Sequence, residues 1–252
     1  MQNIDLKFKE SPAISLSAYA GILVATTIIS LWLGSLLWCF TLDVSSLQFF
    51  GLVPIILIRT FLHTGLFITA HDAMHGTISK NRQINESIGT VASVLYALLP
   101  YQDLLANHRL HHRAPATSQD PDFYDQEPQK IGPWYVHFMK SYLSGKQSWI
   151  LLIGMSIVFY TLLIGFQVPL ANLLLFWLLP LLLSSLQLFY FGIYLPHRKP
   201  TAGYTNRHRA TSLNCSSVWS FLSCYHFGYH WEHHEYPDVP WYALPAVRRS
   251  PN

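Results

Sequence analysis

The chain has 252 residues, 51% of them hydrophobic and only 12% charged, with 16 Lys and Arg against 13 Asp and Glu. So small a charged share, about half the usual ~25%, excludes an ordinary soluble domain. A net charge of +3 scattered along the chain, and three cysteines (Cys39, Cys215, Cys224) without Cys-x-x-Cys spacing, exclude a nucleic-acid binder and a zinc ribbon or iron–sulfur protein.

In chain order, Met1 to Glu10 is polar with mixed charge, and the apolar run behind it is too long for the core of a signal peptide. It reads as the lead into an uncleaved membrane helix. Leu16 to Phe40, about 25 residues, crosses a hydrocarbon core of roughly 30 Å. Asp43, Ser45 and Ser46 make a polar turn. A second run, Leu47 to Ala70, is interrupted only by Arg59 and His63 and continues into His71-Asp-Ala-Met-His75-Gly76. On one helix His63, Phe67, His71 and His75 form an i+4 row. An ionisable residue is costly inside a span, and Arg59 is expected to snorkel, or to pair with Asp43, toward the outer face. His63, two turns deeper than His71, reads as a core or channel residue.

Lys80 to Glu86 reads as a polar linker. Ile88 to Leu99 is apolar but too short to span, and Pro100 closes it, so an interfacial or re-entrant segment is expected. The cluster His108-Arg-Leu-His111-His112 follows, then a turn-rich loop holding Asp120 and Asp122. Lys130 to Lys146 mixes aromatics with lysines, as suits a membrane surface. Two further spans are predicted near Trp149 to Phe166 and Leu170 to Leu195, with a turn at Gln167-Val-Pro169 and a kink at Pro180. Nothing after Pro196 is apolar enough to span. Residues 1–252 are therefore expected to form a single domain: an all-α membrane protein, four transmembrane helices in two hairpins with a histidine-rich helical cap. Lys80, Arg82, Arg109, Arg113, Lys130 and Lys140 between spans two and three, and Arg198, Lys199, Arg248 and Arg249 after span four, put those regions and the cap in the cytoplasm by the positive-inside rule.

The cap carries the chemistry. His226-Phe-Gly-Tyr-His230-Trp-Glu-His233-His234 holds four of the thirteen histidines. On a helix His230, His233 and His234 fall within an arc of roughly 100°, and His226 joins that face. With His71 and His75, and with His108, His111 and His112, they give three imidazole clusters on one side of the membrane. So many imidazoles exceed the needs of one ion and suit two. Imidazole accepts iron, zinc, copper or nickel, and ligand type alone does not choose. The Glu-x-x-His pairs of soluble di-iron bundles are missing. A facial triad of His71, Asp72 and His108 would leave most of the clustered histidines unexplained. Metal-bound imidazoles pass their second N–H to a carboxylate or carbonyl. Asp72, Asp120, Asp122, Glu232 and Glu235 lie beside the clusters, with Asp72 and Asp122 favoured as the catalytic-site carboxylates. His137 and His208 flank loops and read as solvated.

The three boxes, His-x3-His, His-x2-His-His and His-x2-His-His in that order, resemble those of the membrane fatty-acid desaturase and hydroxylase superfamily. More narrowly, His71-Asp-Ala-Met-His-Gly76, His108-Arg-Leu-His-His-Arg-Ala-Pro-Ala-Thr-Ser-Gln-Asp-Pro-Asp-Phe123 and His230-Trp-Glu-His-His-Glu-Tyr-Pro-Asp-Val-Pro-Trp241 are similar to the bacterial and cyanobacterial β-carotene ketolases. The resemblance implies a non-haem oxygenase with two iron ions held by His71, His75, His108, His111, His112, His230, His233 and His234. His197, at the end of span four, is implied as a ninth ligand by its position, with His226 an alternative. It further implies oxidation of the ring 4-methylene of β-carotene or a related carotenoid through a geminal diol to a ketone, with dioxygen, membrane lipid as the medium, and an external electron donor such as ferredoxin. Phe61, Phe67, Tyr96, Phe189, Tyr190, Phe191 and Tyr194 either line a carotenoid tunnel or pack the helices. A carotenoid hydroxylase or fatty-acid desaturase is the alternative within the superfamily. A histidine-rich membrane metal transporter is the alternative outside it, disfavoured because such a protein needs ionisable residues at mid-span.

Overall fold

A computed structural model of the chain describes residues 19–249, so the expectations for residues 1–18 lie outside it. The described residues are helical with no strand. Four helices are long and apolar enough to cross a membrane: α1 (Ala20–Phe40), α2 (Phe49–Met74), α6 (Lys146–Gly165) and α7 (Leu170–His197). Between and after them lie α3 (Arg82–Ala97), α4 (Tyr101–Arg113), α5 (Ile131–Tyr142), α8 (Ser217–Cys224), α9 (His230–Glu235) and α10 (Leu244–Arg249).

Helix α2 is the centre, with α1, α3 and α7 packed around it. Gly21, Ala25, Ile28, Trp32, Leu36 and Cys39 make the buried stripe of α1 at spacings of three and four, the spacing of one helical face. The opposite side exposes Leu23, Leu31, Leu33 and Leu37. Between Lys146 and Tyr160, α6 buries no residue and turns Trp149, Leu152, Ile153 and Ile157 outward. In water such surfaces would be costly; against lipid tails they are solvated.

Arg59 departs from expectation. It neither snorkels nor reaches Asp43, which instead caps its own turn through Ser45 N–H at 3.0 Å. The Arg59 side chain is 1% exposed. Its Nη1 donates to Trp32 O and Ser35 Oγ, both at 2.7 Å, and its Nε donates to Phe176 O at 3.1 Å. Pro180 supplies the reason. Proline has no N–H for the carbonyl four residues back, which belongs to Phe176. The turn before Pro180, Leu174–Leu178, widens to π-helical geometry, and the guanidinium fills the missing donor. At the predicted kink, Pro180, the chain thus makes a wide turn inside one continuous helix. Asn172 likewise donates to Cys39 O and Leu42 O, at 2.7 and 2.8 Å, closing the carbonyl end of α1.

The predicted linker at Lys80 to Glu86 is helix from Arg82 on. Asn81 accepts from Gln83 N–H at 2.8 Å, an N-cap, and Arg82 pairs with Glu86 one turn on, so α3 starts at Arg82. Helices α3 and α4 meet at a 99° bend. Leu98 adopts a left-handed conformation, φ 53°, and the N–H groups of Leu98 and Leu99 return to Val94 O and Ser93 O. Pro100 then opens α4. Gly89 permits the fold-back: a Cβ there would lie 2.3 Å from the Tyr101 ring. The bend brings the histidines of α4 to the end of α2.

Candidate metal centre

Each histidine box lies on a helix or at its end. His71 lies in the last turn of α2 and His75 caps it. His108, His111 and His112 lie on α4, His197 ends α7, and His230, His233 and His234 lie on α9. All nine converge. The nitrogens of His71, His75, His108, His112 and His233 lie within 4.8 Å of one another, as do those of His111, His197, His230 and His234.

Helix geometry explains the division. At 100° per residue, positions i and i+4 stand 40° apart, while i+3 lies 60° to the other side of i. His108 and His112, an i/i+4 pair, serve the first group, and His111 turns to the second. On α9 the i/i+4 pair His230 and His234 serves the second group, and His233 turns to the first. The two parallel boxes each lend their middle histidine to the other's group.

The donor set fits metal ions rather than a hydrogen-bonded cluster. The contacts run Nε2 to Nε2: His75–His108 2.6 Å, His112–His233 3.0 Å, His71–His233 3.2 Å, His197–His230 2.8 Å, His230–His234 3.0 Å and His111–His234 3.1 Å. An imidazole nitrogen carries one proton or one lone pair, so His233, His230 and His234 cannot satisfy two such neighbours each by hydrogen bonding. Adjacent ligands of an octahedral ion with bonds of about 2.1 Å stand about 3.0 Å apart. The described distances bracket that value.

The outer nitrogens are held unevenly. His111 Nδ1 lies 3.0 and 3.1 Å from the two oxygens of Asp120, which also accepts from Ala116 N–H and Asp122 N–H at 2.9 Å. His197 Nδ1 lies 3.0 Å from Arg209 O. The favoured carboxylates stand further off. Asp72 is 3.5 Å from His71 Nδ1 and accepts from Trp241 N–H at 3.3 Å; Asp122 is 3.8 Å from His111 Nδ1 and accepts from Tyr142 Oη at 2.7 Å. Asp120 thus holds the position expected of Asp122. Burial raises the Asp120 carboxyl, but the adjoining His111 more than offsets this and holds it below its ordinary value, whereas burial pushes Asp122 up to about 6. Glu232 is bonded to Ser212 and to Arg248 at 2.6 Å, and Glu235 to Arg207 and His208 at 2.9 and 2.7 Å.

The other four histidines differ in outcome. His63 is core: it accepts from Trp32 Nε1 at 3.0 Å and donates to Tyr96 O at 2.9 Å. His226 does not share the face of α9, because Tyr225 and His226 are left-handed (φ 47° and 63°) and the helix begins only at His230. Its ring stacks on Tyr229 at 5.5 Å, outside both groups. His208, expected in solvent, is buried against Glu235; His137 is exposed.

Two cavities of opposite character approach the histidines. An open one is bounded by His75, His108, His112, Arg109 and Arg113. A less open one touches His71, His108, His111 and His230 and is otherwise lined mainly by Phe67, Met74, Leu104, Phe138, Leu188 and Phe227. It adjoins a larger apolar cavity, with which it shares Phe67, Phe138, Tyr142 and Leu188. Of the aromatics expected at a tunnel, Phe67 and Tyr96 line this space. Phe61 stacks on Tyr225 at 4.2 Å, and Phe189 packs against Trp134 and Tyr135.

An all-helical membrane protein carrying two adjacent histidine groups of metal-binding geometry is the class that fold and site define. The chain belongs to the fatty acid desaturase family, whose model matches residues 45–151 and 142–250. It is 43% identical over 205 residues to a β-carotene 4-ketolase of Haematococcus lacustris, covering 79% of this chain and 62% of that protein. It is 40% identical over 193 residues to a β-carotene ketolase of Paracoccus sp. (strain PC1), covering 76% of each. A zeaxanthin 4-ketolase of Chlamydomonas reinhardtii is 38% identical over 247 residues, 92% of this chain and 54% of the relative. The chain therefore spans less than two thirds of these two algal proteins.

Proposed function

We propose that the chain is a β-carotene ketolase that converts the ring 4-methylene of a β-ionone ring to a ketone, giving echinenone and then canthaxanthin. The observation that carries the reading is the meeting of an apolar cavity with two histidine groups in a chain similar to ketolases over most of its length. Two iron ions would be held by the five-histidine and four-histidine groups, with Asp120 orienting His111, and would supply the activation of dioxygen. Phe67, Leu188 and their neighbours bind the ring in a space that excludes water, and the larger apolar cavity takes the polyene. The basic residues between α2 and α6 support a cytoplasmic side for the histidine groups, and electrons come from an external donor such as ferredoxin. Asp72 holds the Trp241 backbone against the end of α2 and so fixes His71 and His75.

Expression in a β-carotene-accumulating host followed by pigment chromatography tests the reading. Echinenone and canthaxanthin are the expected products. Zeaxanthin alone would make the chain a hydroxylase, and altered lipid unsaturation with unchanged pigment would make it a desaturase.

A further inference from the structure

Making a ketone from a methylene takes two oxidations at one carbon. In the first, the methylene, one dioxygen, two electrons and two protons give a secondary alcohol and one water. In the second, the alcohol, another dioxygen, two more externally supplied electrons and two protons give a geminal diol and a second water. The diol then loses water, with no further change of oxidation state, to leave the ketone. Between the oxidations the substrate is an alcohol in a mostly apolar cavity. An unpaired hydroxyl there costs on the order of 1–3 kcal/mol, which favours escape to lipid headgroups and water before the second oxidation.

The cavity holds one answer to that problem. Apart from histidines of the two groups, its polar side chains are Asp122 and Tyr142. Asp122 is 3% exposed. Its Oδ1 accepts the Tyr142 hydroxyl at 2.7 Å, and its Oδ2 stands 3.8 Å from His111 Nδ1, beyond hydrogen-bond reach, because Asp120 already occupies that nitrogen. The pair is rigidly mounted. Trp134 Nε1 donates to Asp122 O at 2.8 Å and Ser141 Oγ donates to Pro121 O at 2.7 Å, so α5 clamps the loop on both sides of the carboxylate. Tyr142 also stands in the partition between the two cavities, where a ring entering from the apolar side passes it.

Resting on the ketolase reading, we infer that Asp122 and Tyr142 form a hydroxyl-holding pair that retains the alcohol of the first oxidation beside the histidines until the second. Asp122 accepts the alcohol O–H, and Tyr142 fixes the carboxylate facing the cavity. At the diol, Asp122 takes the proton of one hydroxyl and returns it to the other as that leaves as water, so the dehydration is balanced without a further reactant. Asp122 is then a catalytic residue and Tyr142 a positioning one.

The test compares the unaltered chain with Tyr142→Phe and Asp122→Asn, both nearly isosteric, in a β-carotene-accumulating host. The share of 4-hydroxy relative to 4-keto carotenoid is read by chromatography. The share is expected to rise several-fold in both variants, and Tyr142→Phe decides the matter even if Asp122→Asn lowers the protein level. A second readout needs no turnover: anaerobic titration of purified protein with β-carotene and with a 4-hydroxy-carotenoid. The unaltered chain is expected to prefer the alcohol about tenfold, the size of one hydrogen bond to a charged group, and the variants to lose that preference. Lower total product with an unchanged hydroxy-to-keto ratio, or equal affinity for both pigments in the unaltered chain, would overturn the inference alone. No 4-oxidised carotenoid from the unaltered chain would overturn the ketolase reading and the inference with it.

Discussion

Replacing Asp120 by Asn should empty one metal position and spare the other. His111 is the only member of the four-histidine group that comes from α4, and Asp120 holds its Nδ1–H so that Nε2 presents its lone pair inward. The asparagine keeps one acceptor where the aspartate has two. It must share that acceptor among His111 and the Ala116 and Asp122 N–H groups, all now within 3.1 Å of the carboxylate. Loss of such an outer partner costs about 10- to 100-fold in metal affinity, or about 1.4 to 2.7 kcal/mol. Elemental analysis of detergent-purified protein after dialysis against a graded chelator series reads this directly. Asp120→Asn should fall from about two metal ions per chain toward one, with the remaining ion resisting chelator as in the unaltered chain. Retention of both ions at an unchanged chelator midpoint, or equal weakening of both, would refute the assignment of Asp120 to His111.

Arg59→Leu should leave Phe176 O unpaired and destabilise the protein by about 1–3 kcal/mol, whereas in a Pro180→Ala background, which restores a backbone donor, it should cost measurably less; a double-mutant cycle on unfolding in micelles that comes out additive would disprove the link. His63→Leu strands the Trp32 indole N–H and the Tyr96 carbonyl, so a loss of about 2 kcal/mol with metal content unchanged is expected. Metal loss on this substitution with stability intact would make His63 a ligand. Chelation of the unaltered protein should be biphasic, the faster phase coming from the five-histidine group, because its His75, His108 and His112 border the open cavity while all four residues of the other group are buried. Removal of both ions at a single rate would contradict that difference.

The spans are legible in the sequence because crossing a bilayer demands length and apolarity, both of which are local properties. The convergence of the boxes is legible because i, i+3 and i+4 fix a helical face wherever the helix stands. What escapes lies in turns and in tertiary exchange. Asp120 and Asp122 share one loop and no periodicity ranks them. The available signal is the Asp-Pro-Asp run, in which the first aspartate caps the N–H two residues on, turning its carboxylate inward toward α4. Spacing alone places His226 on a helix that two left-handed residues interrupt. His208, in a polar run beside arginines, is buried with its ring hydrogen-bonded to Glu235. Local hydropathy sends Arg59 to the outer face although Pro180 calls for a donor at Phe176, because that pairing joins residues more than a hundred positions apart.

Iron-edge anomalous scattering from crystals of the purified chain tests the paired centre most directly. Two peaks are expected, one among His71, His75, His108, His112 and His233 and one among His111, His197, His230 and His234. A single peak, or iron bound away from both groups, would contradict it.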